Sequence, residues 1–205
     1  MEYKVKRFDK RENVDFDKVE KAPIDSYKWA DNGIRYEAFG KLCFAEDFGF
    51  VCKMACREAD PWVQYHNDGE AVYLDSALEF FGRFTDEGYI NCENNADGVR
   101  LQQFGTDRFD RVPVWGVMPD GFHVKADRDG EWWSVTVELP IEKMQVYYKD
   151  ITHDTFKSGY TFTGNFYKTG HNPETEEDHF GMWHEIDSEV ADFHLPDKFG
   201  TFVME

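Results

Sequence analysis

Apolar and polar residues alternate with a period of two along much of this chain. In one stretch, Trp133, Val135 and Val137 share one face while Ser134 and Thr136 share the other. Successive side chains of a strand point to opposite faces of a sheet, so this alternation predicts β-strands rather than helices. Strand-like runs cover residues 34–46, 48–57, 71–84, 88–96, 99–104, 122–128, 131–139, 159–167 and 199–204.

Short turn signals separate these runs. They include residues 47–49, 67–69, 97–98 and 128–130, each of which ends in glycine. Glycine and acidic residues in such clusters mark tight turns between strands. Only residues 141–149, after Pro140, suggest a short helical turn. Many short strands with little helix predict an all-β fold, an antiparallel β-sandwich.

The pattern is less regular at both ends of the strand-rich region. Residues 1–33 are charged and irregular and are predicted to wrap around the domain. Residues 168–198, rich in histidine and acidic residues, are predicted to form a long loop. The chain has 205 residues, a length compatible with one domain, and residues 1–205 are interpreted as a single β-sandwich domain.

The run 71–84 carries the clearest functional signal. Its alternation puts Leu78 and Phe80 on an apolar face and Tyr73 and Glu79 on a polar, aromatic face. Aromatic rings cover the C–H faces of a sugar, and charged or amide groups bind its hydroxyls. The alternative interpretation is a solvated sheet face with cross-strand ion pairs. The next two runs are predicted to extend this polar face with Asn91, Glu93, Arg100 and Gln102.

The net charge of −18 narrows the classes of partner. The chain has 41 acidic residues against 23 basic ones. Nucleic acids and anionic membranes attract basic surfaces, so neither is an expected partner. No apolar run approaches the roughly 18 residues of a membrane span. The N-terminus as written lacks an apolar signal core, which predicts a cytoplasmic protein, or a secreted one if a signal was removed.

The four cysteines do not form a metal-binding pattern. None belongs to a CxxC pair, which disfavours a zinc ribbon. Cys43 and Cys52 would lie close together in a hairpin, so a disulfide is one alternative. Small buried thiols are the preferred interpretation in a cytoplasmic setting.

The other metal signals are weak. His179 and His184 are five residues apart in a stretch that does not look helical, which disfavours a zinc-hydrolase site. A structural calcium ion is compatible with the acidic composition, although the EF-hand spacing is absent. The candidate calcium ligands are Asp68, Asp75, Asn94, Asn95 and Asp97.

Catalytic signatures are missing from the sequence. It has no GxSxG, Walker A or Rossmann glycine pattern. Glu79 and Glu93 form a conceivable glycosidase carboxylate pair, but so many acidic residues make that coincidence easy. We therefore expect a protein that is not an enzyme, with a glycoside-processing enzyme as an alternative.

Four segments resemble the family 9 carbohydrate-binding modules. They are Asp75-Ser-Ala-Leu-Glu-Phe-Phe81, Tyr89-Ile-Asn-Cys-Glu-Asn-Asn-Ala-Asp-Gly98, Gly164-Asn-Phe-Tyr-Lys-Thr-Gly170, and Trp183 followed by Asp192-Phe-His-Leu-Pro-Asp-Lys-Phe-Gly200. Their order and spacing match over residues 25–205. The resemblance implies a DOMON-like β-sandwich that binds a mono- or oligosaccharide in a slot between aromatic rings. Such modules often accompany glycoside hydrolases in carbohydrate catabolism, and calcium stabilises some of them.

The resemblance also implies a set of site residues. Glu79 and Arg100 fall at its polar sugar contacts, and Tyr73 lies near one aromatic wall, where well-defined slots have tryptophan. Phe193 or Trp183 lies near the other wall, and Asn165 comes from the third segment. An alternative is a haem-binding DOMON-type electron-transfer domain. Haem is not expected, because Met54, Met118, Met182 and the histidines suggest no axial pair.

Overall fold

The computed structural model describes residues 1–29, 33–172 and 176–205, and strands dominate it. The strands are β1 (Glu2–Phe8), β2 (Ala22–Pro23), β3 (Glu37–Ala45), β4 (Gly49–Arg57), β5 (Ala77–Thr85), β6 (Gly88–Asn95), β7 (Arg100–Gly105), β8 (Arg111–Pro113), β9 (His123–Asp129), β10 (Trp132–Pro140), β11 (Thr161–Asn172), β12 (Glu177–Met182) and β13 (Gly200–Met204).

Helical structure is confined to short turns. One α-helical turn, α1 (Ile141–Met144), follows β10, as the sequence predicted. Within the described part of the chain, no helix has both the length and the apolar character needed to cross a bilayer. The 3-10 turns are Arg11–Asn13, Phe16–Lys18, Val72–Leu74, Val114–Gly116, His153–Thr155 and Pro196–Lys198.

The strands form two sheets that share β1. The first sheet runs β8-β7-β6-β5-β11-β13, and the second runs β3-β4-β10-β9. The first half of β1 pairs in parallel with β13, and its second half pairs in parallel with β3. The remaining ladders are antiparallel, including β12 on β11 and β2 on β3. The predicted antiparallel sandwich is therefore confirmed, with β1 adding two parallel pairings.

Aromatic side chains fill the space between the sheets. The Phe84 and Phe162 rings stack at 4.9 Å, and Phe50 and Phe156 meet edge to face at 4.8 Å. Along β10, alternate residues are buried, and Trp133 is 1% exposed. Each Å² of apolar surface removed from water contributes about 25 cal/mol, so large rings are effective core residues. The period-two pattern of β10 thus reflects one face packed in the core.

The opposite face of the first sheet carries a second, smaller hydrophobic cluster. Leu78 and Phe80 enter the main core, whereas Phe81 packs on the other face against Tyr89 and Tyr167. The segment after β12 covers this face and contributes residues such as Phe193. Residues near the C-terminus therefore approach the outer face of β5 and β6.

Three predicted boundaries differ from the structure. The N-terminal segment is not only irregular, because Glu2–Phe8 is a strand whose Tyr3 and Val5 are buried. Residues 72–74 form a 3-10 turn, not the start of a strand. The predicted loop 168–198 contains the end of β11 and all of β12. Residues 30–32 and 173–175, within the two predicted irregular segments, lie outside the described residues.

The sequence pattern did not predict the end of β11, because a charged residue, Lys168, is buried there. Lys168 has no exposed side-chain surface, and its Nζ lies 3.2 Å from Glu58 Oε2. The same ammonium donates to the Thr169 carbonyl at 2.8 Å and lies 2.7 Å from His179 Nε2. A buried charge is tolerated when it is paired and hydrogen-bonded. These partners come from separate parts of the chain, so local sequence did not indicate a buried lysine.

The four cysteines are free and buried, which confirms the preferred interpretation. In the β3–β4 hairpin, Cys43 pairs with Val51 and Cys52 pairs with Leu42. The two thiols therefore lie in different clusters on opposite sheet faces. Burial raises the pKa of the Cys43 thiol to about 12, which keeps it protonated and unreactive.

Gly40 of β3 offers a test of how closely the two sheets pack. A Cβ at this position would overlap the ring of Phe166 from the facing sheet. We expect Gly40→Ala to lower the free energy of unfolding by about 1–3 kcal/mol, because overpacking displaces core side chains. Urea denaturation followed by tryptophan fluorescence measures this loss.

Gly116 provides the matched control, since a Cβ there meets no heavy atom within 4 Å. We expect Gly116→Ala to leave stability within about 1 kcal/mol of the wild type. Equal stability of Gly40→Ala and the wild type would contradict the close approach of β3 to β11.

Candidate functional site

A cavity of about 430 Å³ lies on the outer face of the first sheet. Strands β5, β6, β7 and β11 form its floor, and the loops after residues 68, 105 and 188 form its sides. Its lining combines aromatic rings with acidic and basic groups. The lining residues are Trp29, Gly69, Ala71, Tyr73, Glu79, Glu93, Leu101, Gln103, Arg108, Arg111, Thr169, Phe180, Ala191, Asp192, Phe193 and His194.

Two glutamates from neighbouring strands lie at the floor of the cavity. Glu79 of β5 is directly opposite Glu93 of β6 in the antiparallel ladder. The Thr169 hydroxyl donates to Glu79 Oε1 at 2.7 Å, and the Asn91 amide donates to Glu93 Oε1 at 2.7 Å. Glu93 Oε2 is buried and has no hydrogen-bond partner among the described residues. The floor therefore presents one buried acceptor without a protein donor.

Aromatic rings form one wall. Phe193 stacks on Tyr167 with 3.9 Å between ring centroids and 12° between planes. Trp29 and Phe180 contact Phe193 at 5.6 and 6.3 Å, so these three rings form the exposed side of the wall, with Tyr167 behind them. The Trp29 indole is held by donating to the Ser188 carbonyl at 2.9 Å.

Tyr73 contributes a further ring from the 3-10 turn Val72–Leu74. Its side chain is 47% exposed, although neighbouring Val72 is fully buried. The turn is anchored next to the sheet because the Asp75 carboxylate accepts hydrogen bonds from the Gln64 backbone N–H and from the Asn95 side-chain amide. Tyr73 therefore lines the cavity as an exposed ring on a fixed backbone.

The basic side of the cavity centres on Arg111 of β8. Its Nε donates to Asn91 Oδ1 at 3.0 Å, and its Cζ lies 4.1 Å from the centroid of the Tyr89 ring. Arg108 pairs with Asp192 at 3.5 Å and is half exposed. The Arg111 guanidinium is thus oriented by protein acceptors, while Arg108 is the more exposed cation at the rim.

Burial dominates the electrostatics of the floor. It raises the pKa of both glutamates, and their mutual repulsion raises the pKa of Glu79 further. The pKa of Glu93 rises to about 7, because burial outweighs the Asn91 hydrogen bond and the Arg111 charge. Like charges in adjoining positions disfavour double ionisation, so one of the two carboxyl groups holds a proton near neutral pH.

His194 is neutral at the opposite side. Burial, with Arg111 and Arg108 nearby, lowers its pKa to about 3. Its Nδ1 lies 2.7 Å from the Tyr89 hydroxyl, which can donate to the unprotonated ring nitrogen. The cavity therefore combines neutral and charged hydrogen-bonding groups with flat apolar rings, the surfaces that a polar ring-shaped ligand requires.

Most of the predicted calcium ligands contact other side chains of the protein. No three histidine, cysteine, aspartate or glutamate side chains among the described residues lie close enough to hold an ion. Asp75 and Asn95 bond to each other, while Asp68 pairs with Arg100 and Asp97 with Arg128. These predicted calcium ligands are therefore engaged by protein groups. Calcium binding stays a prediction.

Comparison with known proteins identifies the family. The model of Carbohydrate-binding family 9 matches residues 9–204, almost the whole chain. The chain belongs to carbohydrate-binding family 9. This family is non-catalytic, so the predicted carbohydrate-binding protein that is not an enzyme is confirmed. No curated protein sequence matches the chain.

Solved structures share the fold of this family 9 module. A Bacteroides uniformis protein proposed to bind carbohydrate is 24% identical, with a TM-score of 0.79 over 100% of this chain and 99% of that one. A family 9 module from Caldicellulosiruptor kristjanssonii in complex with glucose is 11% identical, with a TM-score of 0.67 over 100% and 96%. A cellotriose complex from the same organism is 10% identical, with a TM-score of 0.65 over 100% and 94%.

The structure brings three of the six predicted site residues together. Tyr73, Glu79 and Phe193 all line the cavity. Arg100, Asn165 and Trp183 do not. Their roles as ligand contacts are untested, but their positions place them outside this cavity of the family 9 module.

The prediction that Arg100 and Gln102 extend the polar outer face of the sheet is wrong. In the ladder, Arg100 pairs with Asn94 and Gln102 with Cys92, which puts both on the inner face. Arg100 binds Asp68 at 2.8 Å, and the buried Gln102 amide donates to the Phe122 carbonyl at 2.9 Å. A one-residue difference in register moves every side chain of a strand to the other face. The cavity is instead lined by Leu101 and Gln103.

Asn165 and Trp183 support the fold. The Asn165 amide donates to the His184 carbonyl at 2.7 Å, and its oxygen accepts from the His184 amide at 2.9 Å. Trp183 is 3% exposed and meets Tyr3 edge to face at 5.9 Å in the main core. Both residues hold the segment after β12 against β11.

Sequence reasoning missed most of the basic and C-terminal lining. The alternation along β7 would have placed Gln103 on the cavity face if its register with β6 had been known. Arg111 lies on a three-residue strand, and Arg108 lies in a loop, so no local period marks either one. Trp29 and His194 reach the cavity only through tertiary folding.

The raised pKa of Glu93 predicts a specific pH dependence of stability. The folded state holds this proton more tightly than the unfolded state between the ordinary pKa of 4.5 and about 7. The stabilising contribution is complete below pH 4.5 and is lost as pH rises through 7. We expect Glu93→Gln to lose less stability than the wild type between pH 5 and pH 8, measured by urea midpoints at each pH.

Glu87→Gln, on the exposed β5–β6 turn, controls for the loss of one formal charge. Parallel pH profiles for the wild type and Glu93→Gln would show that Glu93 is not the group responsible.

Proposed function

We propose that this family 9 module binds the terminal one or two residues of a neutral saccharide in the cavity on the first sheet. The observation that carries this proposal is the pairing of exposed Tyr73 with the Phe193 wall around a polar floor. A sugar ring offers apolar C–H faces and hydroxyl edges, which match rings at the sides and carboxyls at the base.

The size of the cavity supports a small ligand. About 430 Å³ lies within the range of roughly 300–1,000 Å³ that is usual for small-molecule sites. The related modules were solved with glucose and with cellotriose, which makes glucose-based ligands the first to test.

The floor supplies directed hydrogen bonds. The unpartnered Glu93 Oε2 is buried, and such an acceptor costs about 1–3 kcal/mol unless it is satisfied. A ligand hydroxyl donating to it would remove this cost. The protonated carboxyl of the Glu79–Glu93 pair can donate to a second hydroxyl oxygen. The pair can therefore accept one hydrogen bond from the ligand and donate another.

The Tyr73 ring tests the stacking contribution. We expect Tyr73→Ala to weaken cellotriose binding by roughly tenfold, because an aromatic contact contributes about 0.5–1.5 kcal/mol beyond its buried area. Isothermal titration calorimetry measures the affinity. Phe109→Ala is the matched control, since Phe109 is 94% exposed and lies outside the cavity. Equal losses in both variants, or none in Tyr73→Ala, would refute the role of Tyr73.

Glu79 tests the polar floor. We expect Glu79→Ala to weaken cellotriose binding by roughly tenfold, because a buried hydroxyl left without its partner costs about 1–3 kcal/mol. Circular dichroism checks that the variant stays folded. A folded Glu79→Ala protein with wild-type affinity would remove this residue from the site.

A further inference from the structure

A second cavity, of about 410 Å³, lies on the outer face of the second sheet. It is separate from the first cavity and shares no lining residue with it. Its lining residues are Lys21, Phe39, Lys53, Ala55, Asp127, Arg128, Asp129, Trp132, Trp133 and Ser134.

Strand register explains why this sheet face is hollow. Ala55 of β4 pairs with Phe39 of β3 on one side and with Ser134 of β10 on the other. Small side chains therefore occupy the two central strands. Phe39 and Trp132, both half-buried, meet across the hollow with 5.8 Å between ring centroids and 52° between planes. The result is an open depression with two aromatic rings.

One end of the depression carries an unusual group of lysines. Lys41 of β3 is directly opposite Lys53 of β4, and β2 places Lys21 beside them. Like charges directly opposite each other destabilise a sheet. Burial, and then the neighbouring Lys21, lower the pKa of Lys41. Asp17 and Asp15 offset part of this repulsion at Lys41, and the three lysines still make this end of the depression locally basic in a chain of net charge −18.

Two of these lysines are available to a ligand. Lys41 donates to the Phe16 carbonyl. Lys21 and Lys53, in contrast, form no ion pair with any described residue, and the Lys21 ammonium lies 4.3 Å from the centroid of the Phe39 ring. The Lys21 ammonium therefore adjoins the aromatic floor, and the Lys53 ammonium lies 5.9 Å from the centroid of the Phe16 ring at the edge of the depression.

The other end of the depression is already neutralised in part. Arg128 pairs with Asp97 at 2.7 Å, and Asp127 pairs with Lys125 at 2.8 Å. The Asp129 carboxylate lies beside Trp132 in the ladder. A carboxylate can accept hydrogen bonds from ligand hydroxyls. The depression thus has a cationic end and an end with hydroxyl acceptors.

We propose that this second cavity binds an acidic saccharide, with a uronate ring on Phe39 and Trp132 and its carboxylate between Lys21 and Lys53. The sugar carboxylate would offset the repulsion between the lysines, which a neutral sugar cannot do. Further rings would place their hydroxyls toward Asp127 and Asp129. The module would then hold a neutral chain end on one sheet and an acidic glycan on the other.

Trigalacturonate is the probe for this site. Titration of the full chain, followed by amide ¹⁵N–¹H NMR shifts, is expected to give saturable changes in β3, β4 and β10. We expect Lys53→Gln to weaken binding about three- to fivefold, the range for an exposed ion pair. Lys149→Gln, an exposed lysine elsewhere, should leave the affinity unchanged. Raising the salt from low to high concentration should weaken binding through screening.

Tyr73→Ala separates the two cavities, since it removes a ring from the first and none from the second. Trigalacturonate affinity that persists in Tyr73→Ala and falls in Lys53→Gln supports the second site. Cellotriose titration of Lys53→Gln, with unchanged affinity, confirms that the variant is folded. Shifts confined to first-cavity residues, or equal affinities for Lys53→Gln and Lys149→Gln, would overturn the proposal.

Discussion

The antiparallel ladders of β5 with β6 and with β11 are the constraint on which the site depends. They place Glu79 opposite Glu93 and beside Thr169 while sending Leu78 and Phe80 into the core. A strand cannot move one face without moving the other. The large core rings therefore fix the positions of the buried carboxyls, and the binding floor inherits the rigidity of the core.

That rigidity has an electrostatic consequence. Two carboxyl groups held close together away from water cannot both ionise without cost, so one of them stays protonated near neutral pH. The floor consequently acts as donor and acceptor together. The rings around it come from loops that the sheet does not determine, namely Trp29 before β3, Tyr73 before β5 and Phe193 after β12.

The two sheets differ in the charge of their outer faces. The first presents buried carboxyls with guanidinium groups at the side, and the second presents opposed lysines beside two rings. β1 pairs with both sheets in parallel and so fixes their relative position. The protein therefore has a local basic surface at Lys21 and Lys53 that its net negative charge does not indicate.

The alternation in residues 131–139 and 71–84 was enough to predict strands, their buried faces and an all-β sandwich. The spacing of motifs around Glu79 was enough to indicate the family. Short-range patterns were sufficient for these predictions because the period-two alternation of a strand involves only residues close together in the sequence. They failed at Lys168, whose burial depends on Glu58 and His179, and at β1, whose charged residues hid a buried strand.

The sequence by itself determined the class of fold, the family and the side of β5 that faces the cavity. Only the tertiary structure decided the register of β7, and with it the exchange of Arg100 for Arg111 as the guanidinium at the cavity. It also decided that Asn165 and Trp183 hold the fold, whereas Trp29 and His194 line the site. The physical reason is that a period of two leaves the register between strands open, and long-range packing of loops selects which side chains meet.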